Sequence, residues 1–182
     1  RKGEWERKKF MGVEIYGKTL GIIGLGRIGS EVAKRALVFG MKVIAYDPFL
    51  SKEKAKELGV EVVGLKEIFK RSDYITVHTP LTNQTKNIIN NDTISTMKQG
   101  VRIINCARGG IIDEDAVVEG IKSGKIAGAA FDVYEKEPPK ESSLLNCERL
   151  VLTPHLGAST EEAQSNVAVE IAESARDALL GC

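Results

Sequence analysis

The segment Gly24-Leu25-Gly26-Arg27-Ile28-Gly29 directly follows an apolar run, Thr19–Ile23, and opens a stretch with helical periodicity. Few strings constrain a fold so tightly. Gly24 permits a sharp turn out of a strand, Gly26 lets main-chain N–H groups approach a diphosphate, and Gly29 lets helix and strand pack closely. Such a turn presents an anion to a helix N-terminus, where unpaired N–H groups and the helix dipole favour negative charge. The next apolar run, residues 43–46, closes on Asp47. That is about the twenty-residue distance at which an acid meets the adenosine ribose of a dinucleotide. A carboxylate there accepts hydrogen bonds from ribose hydroxyls and repels a 2′-phosphate, so the expected cofactor is NAD rather than NADP. With Pro48 beside it, Asp47 equally suits a solvated turn at a strand end, and both readings stay open.

Seven short apolar runs recur along the chain, at residues 19–25, 42–47, 60–63, 74–79, 101–106, 128–133 and 150–155. Several are continuous rather than alternating, as strands buried on both faces are. Helical patterns lie between them. Ile28, Val32, Ala36 and Leu37 form one stripe, which Gly40 ends. Asp113, Glu114 and Asp115 load the first turn of a helix bearing Val117, Val118 and Ile121. A long helix follows Ser159, with Glu162 completing a capping box and Ala163, Val167, Ile171, Ala175 and Leu179 as its buried face. Strands alternating with helices predict an α/β fold: a doubly wound, Rossmann-type parallel sheet of six or seven strands with helices on both faces.

The chain has 182 residues and a net charge of +1 with both signs interspersed, which suits one domain with an arm and gives no basic face for nucleic acid or anionic lipid. The apolar runs are strand-length, so no bilayer span is expected, nor a secretory leader. Cys106, Cys147 and Cys182 lack metal-ligand spacing, so no metal is expected. A scattered, odd set fits a reducing cytoplasm, with Cys106 as a buried small residue. Residues 1–18, with Trp5, Phe10 and Met11, have no core of their own, and the last helix runs to the end of the chain. Both suit docking on another domain or a second copy, or, for the arm, folding back on its own domain.

Three further clusters end expected strands, where open α/β sheets bind ligands. They are Asn105-Cys106-Ala107-Arg108-Gly109-Gly110, Asp132-Val133-Tyr134-Glu135-Lys136-Glu137-Pro138-Pro139, and Thr153-Pro154-His155-Leu156-Gly157-Ala158-Ser159-Thr160. The planar fork of Arg108 can hold a carboxylate bidentately. His155 can take a proton from a hydroxyl, and Glu137 on the far ring nitrogen would fix its tautomer and favour the imidazolium. Together they make a set for oxidising an alcohol next to a carboxylate. Singly, they read as a surface ion pair, a loop acid and a strand-end histidine; spacing alone does not bring them together.

These clusters, with Arg7-Lys8-Lys9-Phe10-Met11-Gly12, Val77-His78-Thr79-Pro80-Leu81 and Ile111-Ile112-Asp113-Glu114, carry a resemblance over nearly the whole chain. The chain resembles the nucleotide-binding domain of D-isomer-specific 2-hydroxyacid dehydrogenases. The resemblance implies Arg108 as substrate-binding arginine, Glu137 as histidine partner and His155 as acid–base residue. It implies Arg27 and Ile28 at the diphosphate turn, Asp47 and Pro48 at the ribose, and Thr79 and Pro80 under adenine and ribose. Cys106 and Ala107 would line the nicotinamide pocket, Asp132 would hold the carboxamide, and Gly157 and Ala158 would complete the cofactor contacts; His78 is structural or lines the cofactor loop. Residues 1–18 then form a connector and dimer-contact arm, 19–158 the NAD-binding domain and 159–182 a C-terminal helix, the substrate domain lying outside this chain. The implied protein is a cytoplasmic homo-oligomer acting on a phosphorylated small hydroxyacid, with no nucleic-acid or membrane partner. A reductase of glyoxylate, hydroxypyruvate or another 2-keto acid is the alternative within chemistry. An NAD(H)-sensing corepressor-like binding module is the alternative outside it. Without the second domain to exclude water, the isolated chain is expected to turn over weakly or not at all.

Overall fold

The computed structural model describes residues 11–181. Trp5, Phe10, the basic motif at residues 7–10 and Cys182 lie outside the described residues. The chain runs β1 (Thr19–Ile23), α1 (Arg27–Val38), β2 (Lys42–Tyr46), α2 (Lys52–Glu57), β3 (Glu61–Val62), α3 (Leu65–Arg71) and β4 (Tyr74–Val77). It continues through α4 (Asn91–Thr96), β5 (Val101–Asn105), α5 (Glu114–Lys122), β6 (Ile126–Phe131), a 3₁₀ turn (Ser143–Asn146), β7 (Leu150–Leu152) and α6 (Glu161–Leu180). The strands form one seven-stranded sheet in the order β3-β2-β1-β4-β5-β6-β7, and every neighbouring pair is parallel. This is the expected doubly wound α/β architecture. The order reverses between β1 and β4, a switch point that opens a crevice at the carboxyl ends of those strands.

Period-two alternation sorts the strand residues into two cores. On β1 and β2, Leu20, Ile22, Val43 and Ala45 face α1 and pack with Ala33, Ala36 and Met41. Ile23 and Ile44 face the other side, with Ile68 and Phe69 of α3, Ile94 of α4 and Val117, Val118 and Ile121 of α5. Each Val, Leu, Ile, Phe or Met side chain taken fully out of water contributes about 1.5–3 kcal/mol, so these two layers hold the sheet. Towards β7 the α1 side thins out: Val101 and Ile103 of β5 are buried while Arg102 and Ile104, alternating with them, are half exposed. The guanidinium of Arg102 lies 5.3 Å from the Tyr74 ring centre on that open side.

Several expectations need correcting. The buried stripe of α1 is Gly29, Ala33 and Ala36, and Ile28 is 66% exposed. Helical periodicity alone does not separate a side chain facing the sheet from one facing a ligand crevice. β6 starts and ends two residues earlier than the run at 128–133. α6 is capped by Thr160, whose hydroxyl accepts from Ala163 N at 3.1 Å, not by a Ser159–Glu162 box. No residue of α6 is buried, and Ile171 and Leu179 on its expected core face are exposed. The amphipathic pattern is real, but among the described residues nothing covers it. At the other end, Tyr16 lies against Gly40 and Gly17 N donates to Gly40 O at 2.9 Å, so this part of the arm folds back on its own domain. No helix among the described residues is long and apolar enough to cross a membrane.

An α6 that buries nothing contributes little to stability. Ending the chain before Glu161 should shift its thermal midpoint by less than about 2 °C in circular dichroism; a loss of about 10 °C would mean that α6 packs on the domain.

Candidate active site

The glycine turn is built as its spacing requires. Gly24 has φ +94°, and a Cβ there would lie 2.6 Å from the carbonyl oxygen of His78. A Cβ on Gly29 would fall 2.1 Å from Gly24 O, so only glycine lets α1 lie this close to β1. Gly26 differs. It is the N-cap of α1, nothing of the chain lies within 4 Å of its Cβ position, and no side chain caps the helix. The first N–H groups of α1 therefore face open space, and no acid in the first turn offsets their partial charge.

Asp47 meets its reading as a turn acid. Its Oδ1 accepts from Phe49 N and its Oδ2 from Leu25 N, each at 2.8 Å, so it shapes its own turn and clamps the glycine turn to β2. A carboxylate has about four acceptor sites, which leaves capacity for ribose hydroxyls. Beside the turn a crevice of about 480 Å³ is lined by Ile28, His78, Thr79, Pro80, Cys106 and Arg108, among others; pockets for small molecules run to about 300–1,000 Å³. Thr79 Oγ1 is buried there with no hydrogen-bond partner. An unmet buried hydroxyl costs about 1–3 kcal/mol, and a polar ligand in the crevice would relieve that. Free helix N–H groups, an acid with acceptor sites to spare and an orphaned hydroxyl together fit a dinucleotide. His78 both lines this crevice and ties to the sheet: its Nε2 lies 3.0 Å from Thr76 Oγ1, and burial holds its pKa below the usual histidine value.

The β5 and β6 loops meet main chain to main chain. Asn105, buried at the end of β5, accepts from Ala107 N (3.1 Å) and donates from Nδ2 to Arg108 O (2.9 Å), fixing the loop that presents Arg108. A Cβ on Gly109 would sit 1.8 Å from Tyr134 O, so glycine alone permits the contact. The Arg108 guanidinium is exposed and donates from Nη1 to Ala107 O at 2.6 Å. Cys106 is exposed in the crevice rather than buried, because β5 ends one residue before it. Desolvation, then the Asp132 charge, push its thiol pKa up, so it stays protonated.

The third cluster hangs from Asp132. This buried carboxylate accepts from Thr153 Oγ1 (2.5 Å), Leu156 N (2.7 Å) and Gly157 N (2.8 Å), holding the chain on both sides of His155, which sits at φ +55°. Burial raises its pKa, but those three bonds and the nearby His155 outweigh burial and keep it ionised. Three chain donors on Asp132 make it first a loop-holder. His155 Nδ1 lies 2.8 Å from Glu137 Oε2, and Tyr134 N donates to Glu137 Oε1 at 3.1 Å. The bond to His155, then the Tyr134 N–H, hold the Glu137 carboxyl below its usual pKa. The pair's contribution is therefore complete above the ordinary glutamate range and is lost as pH falls through the lowered value. An anionic acceptor at Nδ1 puts the ring hydrogen there and leaves Nε2 as the basic nitrogen.

Thus Asp132, Glu137 and His155 converge, while Ile28, Thr79, Pro80, Cys106, Ala107 and Arg108 share the neighbouring crevice. Gly157 and Ala158 are exposed beside them, the Ala158 carbonyl accepting from Gln164 Nε2. Tyr134 and Asn105 had no role of their own in the sequence reading. An Asn ending a strand two residues before Ala107 is an Asx-turn signal that could have found one of them.

A carboxylate–imidazole pair and a turn that fits a dinucleotide share one edge of one sheet, at the carboxyl ends of the strands where open α/β sheets bind ligands. Comparison with known proteins agrees. Residues 1–157 match the family described as D-isomer specific 2-hydroxyacid dehydrogenase, NAD binding domain, and the chain belongs to that family. D-3-phosphoglycerate dehydrogenase of Methanocaldococcus jannaschii is 53% identical over 182 residues, covering 100% of this chain and 35% of that protein. The Bacillus subtilis protein of that name is 56% identical over 170 residues, 93% of this chain and 32% of its own. A glyoxylate reductase crystal structure from Paecilomyes thermophila superposes with a TM-score of 0.90 at 40% identity, over 97% of this chain and 53% of that one. The chain spans about a third of the length of the curated relatives it matches.

The role of Asp47 is open to a direct check. Calorimetric titration of this chain should give NADH at least about tenfold tighter than NADPH, or about 1.4 kcal/mol, with Asp47→Asn narrowing the gap. Equal affinities in the unaltered chain would remove Asp47 from cofactor choice.

Proposed function

We propose that this chain is the nucleotide-binding part of an NAD-dependent D-2-hydroxyacid dehydrogenase whose parent protein oxidises D-3-phosphoglycerate to 3-phosphohydroxypyruvate, the entry to serine synthesis. Identity of 53–56% to phosphoglycerate dehydrogenases supports the substrate. The single observation that carries the chemistry is the 2.8 Å contact between His155 Nδ1 and Glu137, which leaves Nε2 basic at the sheet edge.

Gly24, Gly26, Gly29, Arg27 and Ile28 would hold the diphosphate, Asp47 with Pro48 the ribose, and Thr79, Pro80, Cys106, Ala107, Gly157 and Ala158 the rest of the dinucleotide, with Asp132 shaping its nicotinamide end. NAD, when bound, supplies the acceptor for the hydride leaving the carbinol carbon. His155 Nε2 takes the hydroxyl proton, and Glu137 stabilises the imidazolium that results. Arg108 grips the substrate carboxylate and polarises the developing carbonyl. Residues 19–158 are the NAD-binding unit, residues 1–18 a connecting and dimer-contact arm, and α6 a segment that meets a substrate domain or a second copy. The parent is read as a cytoplasmic homo-oligomer.

The likeness to a glyoxylate reductase favours one second reading, a 2-keto acid reductase using the same groups in the opposite direction. In the intact parent, His155→Ala should lower kcat on the order of 10²–10⁴ while NADH affinity stays within about twofold. An unchanged kcat with 3-phosphoglycerate would remove His155 from the reaction, and faster turnover of glyoxylate would favour the second reading.

A further inference from the structure

Glu114 lies outside the crevice, in the first turn of α5, yet its carboxylate bonds twice to the loop that carries Glu137. Oε1 accepts from Glu135 N at 2.8 Å and Oε2 accepts from the Ser142 hydroxyl at 2.6 Å. The adjoining Asp115 accepts from Ser143 Oγ at 2.7 Å. The stretch 135–142 thus leaves one carboxylate and returns to it, with Glu137 inside the excursion.

We propose that Glu114 is a positioning residue for the Glu137–His155 pair, closing the base of the 135–142 loop so that the Glu137 carboxylate stands where His155 Nδ1 can meet it. The consequence for turnover rests on the reading of His155 as the acid–base group; the geometric claim stands on this chain alone. Glu137 and His155 are both exposed, and solvent screening leaves an exposed ion pair little net stabilisation. That is too little to order a loop in which every residue loses backbone entropy on being fixed. The order must come from elsewhere. Helix α5 supplies a rigid anchor, with Ala116, Val117, Val118 and Ile121 buried and Asp113 capping it through Ala116 N. Glu114 transfers that rigidity to the loop through two hydrogen bonds, while the contact of Gly109 with Tyr134 steadies its start. An acid in a first helical turn also complements the dipole, but that role needs no partner at Glu135 or Ser142.

The test is a carbon-detected NMR titration of the Glu137 carboxyl in this chain. Glu114→Ala should raise its midpoint by about 0.5 towards the ordinary glutamate range. Removing a negative neighbour would by itself lower that midpoint, so a rise reports the lost bond to His155 and not the lost charge. Glu114→Gln keeps an acceptor for Glu135 N and a donor for Ser142 Oγ, and should leave the midpoint at or below its original value. Ser142→Ala, which removes one bond of the two, should give a smaller rise and serves if Glu114→Ala does not fold. A midpoint unchanged or lowered in both Glu114→Ala and Ser142→Ala, or raised as far by Glu114→Gln as by Glu114→Ala, would overturn the clamp. If the midpoint responds while His155→Ala leaves the parent's kcat unchanged, the clamp stands and the catalytic reading fails.

Discussion

A parallel sheet puts the carboxyl ends of all its strands on one edge, and this chain hangs every candidate group from that edge. The glycine turn follows β1, Asp47 follows β2, Thr79 follows β4, Arg108 follows β5, Glu137 follows β6 and His155 follows β7. Strand pairing fixes the spacing of the six loops before any loop chemistry operates. Apolar burial holds the pairing: Ile22, Ile23, Ile75, Val77, Val101 and Ile103 are completely buried. Loops anchored on such strands differ in kind from loops that drift at a surface, because each begins at a position known to the whole sheet.

Between those anchors, close main-chain approach and buried carboxylates do the finer work. Gly29 against Gly24 and Gly109 against Tyr134 are contacts that any side chain would destroy. Asp132 shows how opposing effects resolve. Burial raises its pKa, yet three chain donors and the nearby His155 outweigh burial, and the carboxylate pins Leu156 and Gly157. Glu137, being exposed, feels little desolvation, so its bond to His155 dominates. One acid therefore places the imidazole and the other orients it.

What the sequence made legible follows from the range of the interactions. The glycine turn, Asp47 and the helix headed by Asp113 are local patterns, and local patterns read well. The Glu137–His155 contact spans 18 residues and Glu114–Ser142 spans 28; only the family resemblance reached the first, and nothing in spacing reached the second. Ile28 misled because its helical period is satisfied whether it faces a core or a ligand. Cys106 misled because small-residue burial applies inside a strand, and β5 stops one residue short of it. The apolar face of α6 was legible as a pattern, but its cover is not among the described residues.

The central claim is that one sheet edge binds a dinucleotide with the imidazole at its margin. Amide chemical-shift mapping of the 15N-labelled chain during NADH addition tests it most directly. The account predicts the largest changes at Leu25, Gly26, Asp47, Thr79, Ala107 and Gly157, with α6 beyond its first turn unmoved. Changes confined to the opposite edge of the sheet, or to α6, would contradict it.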